Sequence, residues 1–229
     1  MGSGGRRWLG RSLLTLALWV LGAAPVAASG EHKVPDLRQE GPPKGDRAGI
    51  WLRIPLTLHM ATVVDRPAFD LRRLERAVRR ANISLRSSGI EVYVARMEVL
   101  PEGFAGIRHR RDRRRLANFA ASDGTVHLFL VQTVELGSVL RADRGVRGLH
   151  WRYRGLLRKL RSREFLVLGA DAPATTLVHE LGHLFGLEHD EGRENLMCSC
   201  REGPRQIFTA AQGAKIRRGA IQYLQRARG

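Results

Sequence analysis

Cysteine and lysine are both scarce in this chain. Only Cys198 and Cys200 occur among 229 residues, and only Lys33, Lys44, Lys159 and Lys215 among 39 basic residues. No cysteine follows the apolar run near the N-terminus, which argues against a lipid-anchored lipoprotein. No other run is long and apolar enough for a bilayer, which takes about 20 residues, so no integral membrane protein is expected. There is no internal repeat. No run of alternating Asp and Asn marks a calcium loop.

Arginine therefore carries the basic excess. The formal charge is +17. Such a balance suits an anionic polymer, but lopsided arginine usage also follows from a GC-rich genome. The densest stretch, Arg108-His109-Arg110-Arg111-Asp112-Arg113-Arg114-Arg115, reads better as a solvated turn or helix start than as a polymer site, because no aromatic side chains interleave the charges for stacking.

The first residues have a secretory pattern. Arg6, Arg7 and Arg11 precede the apolar run Leu13 to Leu21, and small residues close it at Val26-Ala27-Ala28-Ser29. Residues 1–28 are thus expected to be a signal peptide, implying a secreted or periplasmic protein. The three arginines of that segment leave +14 of the charge to the remaining chain. Residues 29–48, punctuated by Pro35, Pro42 and Pro43, read as a linker or short pro-segment. Residues 49–229 are enough for one domain with a good core.

Within that domain, Ile50 to Val64 alternates as a strand. Leu71, Leu74, Val78, Ala81 and Leu85 then form one helical face, with Gly89 suited to its end. Ile90 to Leu100 and Thr125 to Val134 read as further strands. Gly148 to Tyr153 is a candidate edge strand, and Phe165 to Leu168 a short strand. Asp171 and Pro173 open the next helix, with Asp171 as its cap. Thr209 and Gln212 form a capping-box pattern for a last helix, with Ile216, Ala220, Ile221 and Leu224 on its apolar face. This order predicts an α+β fold with a mixed twisted sheet, a motif-bearing helix and a C-terminal helix.

The motif is His179-Glu180-Leu181-Gly182-His183-Leu184-Phe185-Gly186-Leu187-Glu188-His189. His179 and His183 lie one helical turn apart on one face, so both imidazoles can reach one zinc at about 2.0–2.1 Å. Gly186 permits the left-handed backbone that ends a helix and turns the chain, bringing His189 back as a third ligand. Three protein ligands leave one position open, as in a catalytic zinc site. Glu180 sits beside the first ligand, placed to take a proton without ligating. Chance agreement at these offsets is on the order of one in ten million per start position.

This segment resembles the metzincin zinc peptidases, whose signature is H-E-x-x-H-x-x-G-x-x-H followed by a methionine turn. Met197, eight residues after His189, is similar in spacing to the matrixin branch, whereas Asp190 directly after the third histidine resembles the adamalysin branch. The resemblance covers roughly residues 171 to 200. It implies that Met197 packs beneath the zinc ligands as a support and that an edge strand, here Leu149 to Tyr153, pairs with extended peptide. The sequence also departs from the family. Ser199 stands where some metzincins have a tyrosine near the metal, and no cysteine precedes the motif to form a matrixin-style switch. A Cys198 or Cys200 thiolate approaching the zinc is one device for latency, and a disulfide between them is another state of the pair.

The resemblance implies a zinc endopeptidase acting on peptide or protein, in which Glu180 activates a zinc-bound water; with the signal pattern, a secreted protein is expected, and a monomer. The alternative is a secreted polyanion-binding module with a vestigial zinc site.

Overall fold

The computed structural model describes residues 51–135, 147–199 and 206–227. The expected signal segment, the linker and Cys200 lie outside the described residues.

Strand β1 (Leu52–Met60) turns Ile54, Leu56, Leu58 and Met60 to one face of the sheet and Thr57 and His59 to the other. This alternation of faces follows from the two-residue period of a strand. Helix α1 (Leu71–Leu85) starts where the Asp70 carboxylate accepts the backbone N–H of Arg72 at 2.9 Å. It buries Leu74, Ala77, Val78, Ala81 and Leu85. A short 3-10 turn, Arg86–Ser88, follows, and Gly89 closes it in a left-handed conformation, φ 63°.

Strands β2 (Ile90–Val99), β3 (Val126–Val131), β4 (Gly148–Arg152) and β5 (Glu164–Gly169) complete a five-stranded sheet in the order β2-β1-β3-β5-β4. Only β4 runs antiparallel, against β5, at the sheet edge. β3 is buried along its whole length, as its unbroken apolar run requires. It ends earlier than expected: Thr133–Val134 leave this sheet to pair with Gly106–Ile107.

One face of the sheet packs on α1 and on helices α3 (Thr175–Leu184) and α4 (Ala210–Ala227). The other face is covered by residues 100–120, including helix α2 (Arg110–Leu116). The arginine run therefore folds as a helix start, as its composition suggested. Asp112 closes a capping box with His109, and the Arg115 guanidinium lies 4.3 Å from the centre of the Phe104 ring.

Two expectations need correction. Asp171 does not cap α3: the flanking residue is Ala174 without a side-chain cap. The chain first turns after β5 through Ala172 N–H to Gly169 O and Thr176 N–H to Pro173 O, and Asp171 faces Arg147 at 3.5 Å. Ile221 is 39% exposed, and Tyr223 takes its place in the core. The Thr209–Gln212 capping box of α4 is present in both directions.

Candidate metal centre

Helix α3 carries His179 and His183 one turn apart, and its end determines where His189 falls. The Gly186 N–H donates to His183 O at 3.0 Å and the Leu187 N–H to Gly182 O at 2.8 Å. These two bonds form a Schellman motif, which needs a left-handed residue between the helix and the segment that leaves it. Gly186 supplies it, at φ 93°. No atom lies within 4 Å of where its Cβ would stand, so the demand for glycine here is conformational rather than spatial.

The turn brings three imidazoles together. His183 Nε2 lies 3.2 Å from His179 Nε2 and 3.1 Å from His189 Nε2. His179 Nδ1 donates to the Leu196 carbonyl at 2.7 Å, and His183 Nδ1 to the Leu187 carbonyl at 2.9 Å. A carbonyl only accepts, so these contacts place the proton on Nδ1 and leave Nε2 with its lone pair. Lone pairs facing one another at that distance repel unless a cation lies between them. The spacing is near the edge of a tetrahedron, roughly 3.3 Å, built on metal–nitrogen bonds of about 2.0–2.1 Å. His179, His183 and His189 can therefore hold one metal ion. Burial lowers the His183 pKa to about 4, opposed by the Leu187 carbonyl and reinforced by His179, His189 and His150, so its nitrogen is unprotonated at neutral pH.

Glu180 is 6% exposed. Burial pushes its carboxyl up to about 8, and a hydrogen bond from the backbone N–H of His150 opposes this. That bond ties α3 to the edge strand β4, so strand and helix form two walls of one site. The His150 side chain meanwhile bonds Glu164 on β5, Nε2 to Oε1 at 2.9 Å. Sequence reading placed His150 in the edge strand but had no signal for its bond to Glu180, because the contact spans 30 residues and uses a backbone atom.

Met197 is fully buried against α3. The loop before it is held by side chains. Asn195 Oδ1 accepts the Met197 N–H at 2.9 Å, and Asn195 Nδ2 donates to Gln212 Oε1 at 2.9 Å. Asp190 accepts from the Gly192 N–H and from Gln212 Nε2. The same loop presents the Leu196 carbonyl to His179. Cys198 is buried and bonded in a disulfide, so it offers no thiolate to the site.

No known family profile and no curated protein matches this sequence. Solved structures do match. The chain superposes on metalloproteinase-II from Bacteroides fragilis with a TM-score of 0.52 and 16% identity, covering 73% of this chain and 52% of that one. A chain in a chaperone-substrate complex matches with a TM-score of 0.50 and 11% identity, over 77% of this chain and 35% of that one. This chain thus spans about half the length of the first protein and a third of the second. The mixed sheet with its histidine-bearing helix shares its fold with a metalloproteinase, and His179, His183 and His189 are arranged to hold a metal ion.

Proposed function

We propose that this chain is a secreted zinc-dependent endopeptidase of metzincin type. The observation that carries the reading is the meeting of three imidazole nitrogens, two of them on rings whose other proton is committed to a carbonyl, beside a buried carboxyl on the adjacent helix position. Three soft-to-borderline nitrogen ligands with a free fourth position suit zinc. Zinc held there supplies Lewis acidity, polarising a carbonyl oxygen and making water a nucleophile near neutral pH.

The residues of this chain do the rest. His179 and His183 present Nε2 because Leu196 and Leu187 hold their Nδ1 protons. Glu180, held by the His150 N–H and shielded from bulk water, accepts a proton from the attacking water and returns it to the leaving amine. A cation on the neighbouring histidines draws its pKa down from the metal-free value. The outer edge of β4, which pairs with no other strand among the described residues, is the place for an extended peptide to pair, and Met197 supports the helix that carries the ligands. Residues 1–28 direct export, 29–48 link, and 49–229 form the catalytic domain. A polyanion-binding module with a vestigial metal site would have no use for a carboxyl buried at Glu180.

The test is metal content and peptide-library cleavage of the purified protein, with Glu180→Gln beside it. One zinc per chain, with cleavage lost and zinc kept in the variant, is the expected result. Unchanged cleavage by Glu180→Gln would refute the mechanism, and a folded protein that takes up no zinc would refute the reading.

A further inference from the structure

Apart from the arginine-rich helix α2, three other arginines converge where distant segments meet. A small pocket of about 70 Å³, open to solvent, is lined by Ser122, Arg152, Arg161, Ser162, Glu164 and Arg226, among others. These come from the loop before β3, the end of β4, the turn before β5, the start of β5 and the last turn of α4. We propose that this cavity binds a tetrahedral oxyanion, a phosphate or sulfate group.

Charge is the first argument. Glu164 is the one acid among those six, and it is already committed. Its Oε1 accepts from His150 Nε2 at 2.9 Å, and its Oε2 lies 3.7 Å from Arg226. Arg152 and Arg161 have no ion-pair partner among the described residues. The cavity therefore keeps two uncompensated guanidinium groups and a third that is weakly paired. The negative end of α4 opposes an anion there, and Arg226 in that last turn offsets it.

Donor geometry is the second argument. The Ser122 hydroxyl donates to the Ser162 hydroxyl of a different segment at 3.0 Å, which leaves the Ser162 O–H to donate outward. One hydroxyl donor and guanidinium forks on separate segments suit an anion with oxygens in several directions, which a tetrahedral group has and a planar carboxylate lacks. The walls are fixed without a ligand. Tyr223 Oη donates to the Thr125 carbonyl at 2.9 Å, and Arg163 Nη1 to the Ala120 carbonyl at 2.5 Å. The opening leaves room for the rest of a molecule that bears the group. This inference does not depend on the peptidase reading.

The probe is inorganic phosphate, titrated calorimetrically into the full chain at constant ionic strength with chloride as control. A phosphoserine peptide and its unphosphorylated counterpart form a second arm, and inorganic sulfate a third. One saturable site for phosphate or sulfate is expected. It should weaken about tenfold or more in Arg152→Gln/Arg161→Gln, whose thermal midpoint should stay unchanged because both side chains are exposed. If the phosphoserine peptide binds tighter than inorganic phosphate while its counterpart does not bind, the ligand is an ester; equal affinity for phosphate alone marks a free-ion site. Absence of saturable binding by any of the three probes would overturn the proposal. So would binding that survives the double variant, since that anion would sit on the metal or on the surface at large. Zinc content, read on the same double variant, stays intact if only this site is lost.

Discussion

Gly182 lies directly against the thioether of Met197: a Cβ at Gly182 would stand 2.5 Å from Sδ. The glycine is in the turn of α3 between the two helical ligands, so the helix can settle onto the methionine only where it has no side chain. Gly182→Ala adds a helix-favouring residue yet forces Met197 to move within a closed core, and a net loss of about 1–3 kcal/mol is expected. Denaturant unfolding of a double-mutant cycle checks the cause. In a Met197→Ala background the same glycine change should become neutral or stabilising; an equal loss in both backgrounds would assign the effect elsewhere.

Gly219 offers a sharper version of the same argument. A Cβ there would overlap the backbone of Phe185, at the end of α3, and backbone cannot swing aside as a thioether can. Gly213, on the same helix, faces only the Ser88 hydroxyl at 3.0 Å. Both changes to alanine carry a similar gain in helix propensity, about 1 kcal/mol. Gly213→Ala should therefore be near neutral, while Gly219→Ala should lower the thermal midpoint and loosen the metal site by shifting α4 from α3. Equal midpoints for the two variants would contradict the contact.

Acid should destabilise the fold through a buried histidine pair on the face opposite the metal centre. His127 Nε2 lies 3.2 Å from the Asp123 carboxylate, and His59 Nε2 lies 2.8 Å from His127 Nδ1. A carboxylate only accepts, so His127 donates to Asp123 and His59 donates to His127. This leaves His59 Nδ1 as a bare lone pair; Glu98 approaches it to 3.4 Å without hydrogen-bond geometry. Burial, then His127 and Arg96, lower the His59 pKa to about 3, against the opposing pull of Asp123. Burial also lowers that of His127, with Asp123 opposing. The folded chain thus holds both rings neutral while the unfolded chain protonates them below about 6.5. Stability is full above that value and falls as pH drops toward the folded pKa, by up to about 1.4 kcal/mol per pH unit for each such histidine. Chelated protein, unfolded by denaturant between pH 6.5 and 4.5, isolates this effect from metal loss. His59→Gln should flatten the slope, and an unchanged slope would assign the acid sensitivity to other groups.

Metal removal should cost stability, because the three imidazoles converge only in the folded chain. A ligand present at about a thousand times its Kd stabilises by about 4 kcal/mol. The thermal midpoint should fall on chelation and recover on adding zinc. His189→Ala should abolish that metal-dependent increment. The same change should leave the chelated protein's midpoint nearly unaltered, since His189 is exposed beyond the end of α3. A large loss in the chelated variant would mean that His189 has a structural role apart from metal.

The sequence by itself determined a good deal. The period of Leu74, Val78, Ala81 and Leu85 defined α1, and the alternation of Ile54, Leu56 and Leu58 defined β1, because local backbone geometry alone decides which side chains share a face. The spacing of His179 and His183 and the glycine at 186 made the convergence of the three imidazoles readable for the same reason: both are matters of a single helix and its end. Where a signal depended on contacts between segments, the sequence was silent or misleading. Asp171 had the chemistry of a cap, yet the turn after β5 placed another residue there. Ile221 fitted an apolar face whose true angle was decided by the sheet beneath it.

Tertiary structure alone decided how the site is walled and oriented. The Leu196 and Leu187 carbonyls that set the imidazole tautomers, the His150 N–H that holds Glu180, and the Asn195–Gln212 brace of the methionine loop all rest on backbone groups or on partners 17 or more residues away, save the local Leu187 turn. Backbone atoms carry no residue identity, so no pattern of side chains can announce them. The arginine cavity illustrates the same limit: the run at 108–115 drew the eye in sequence, while Arg152, Arg161 and Arg226 became neighbours only because an edge strand, a turn and a helix end were packed together.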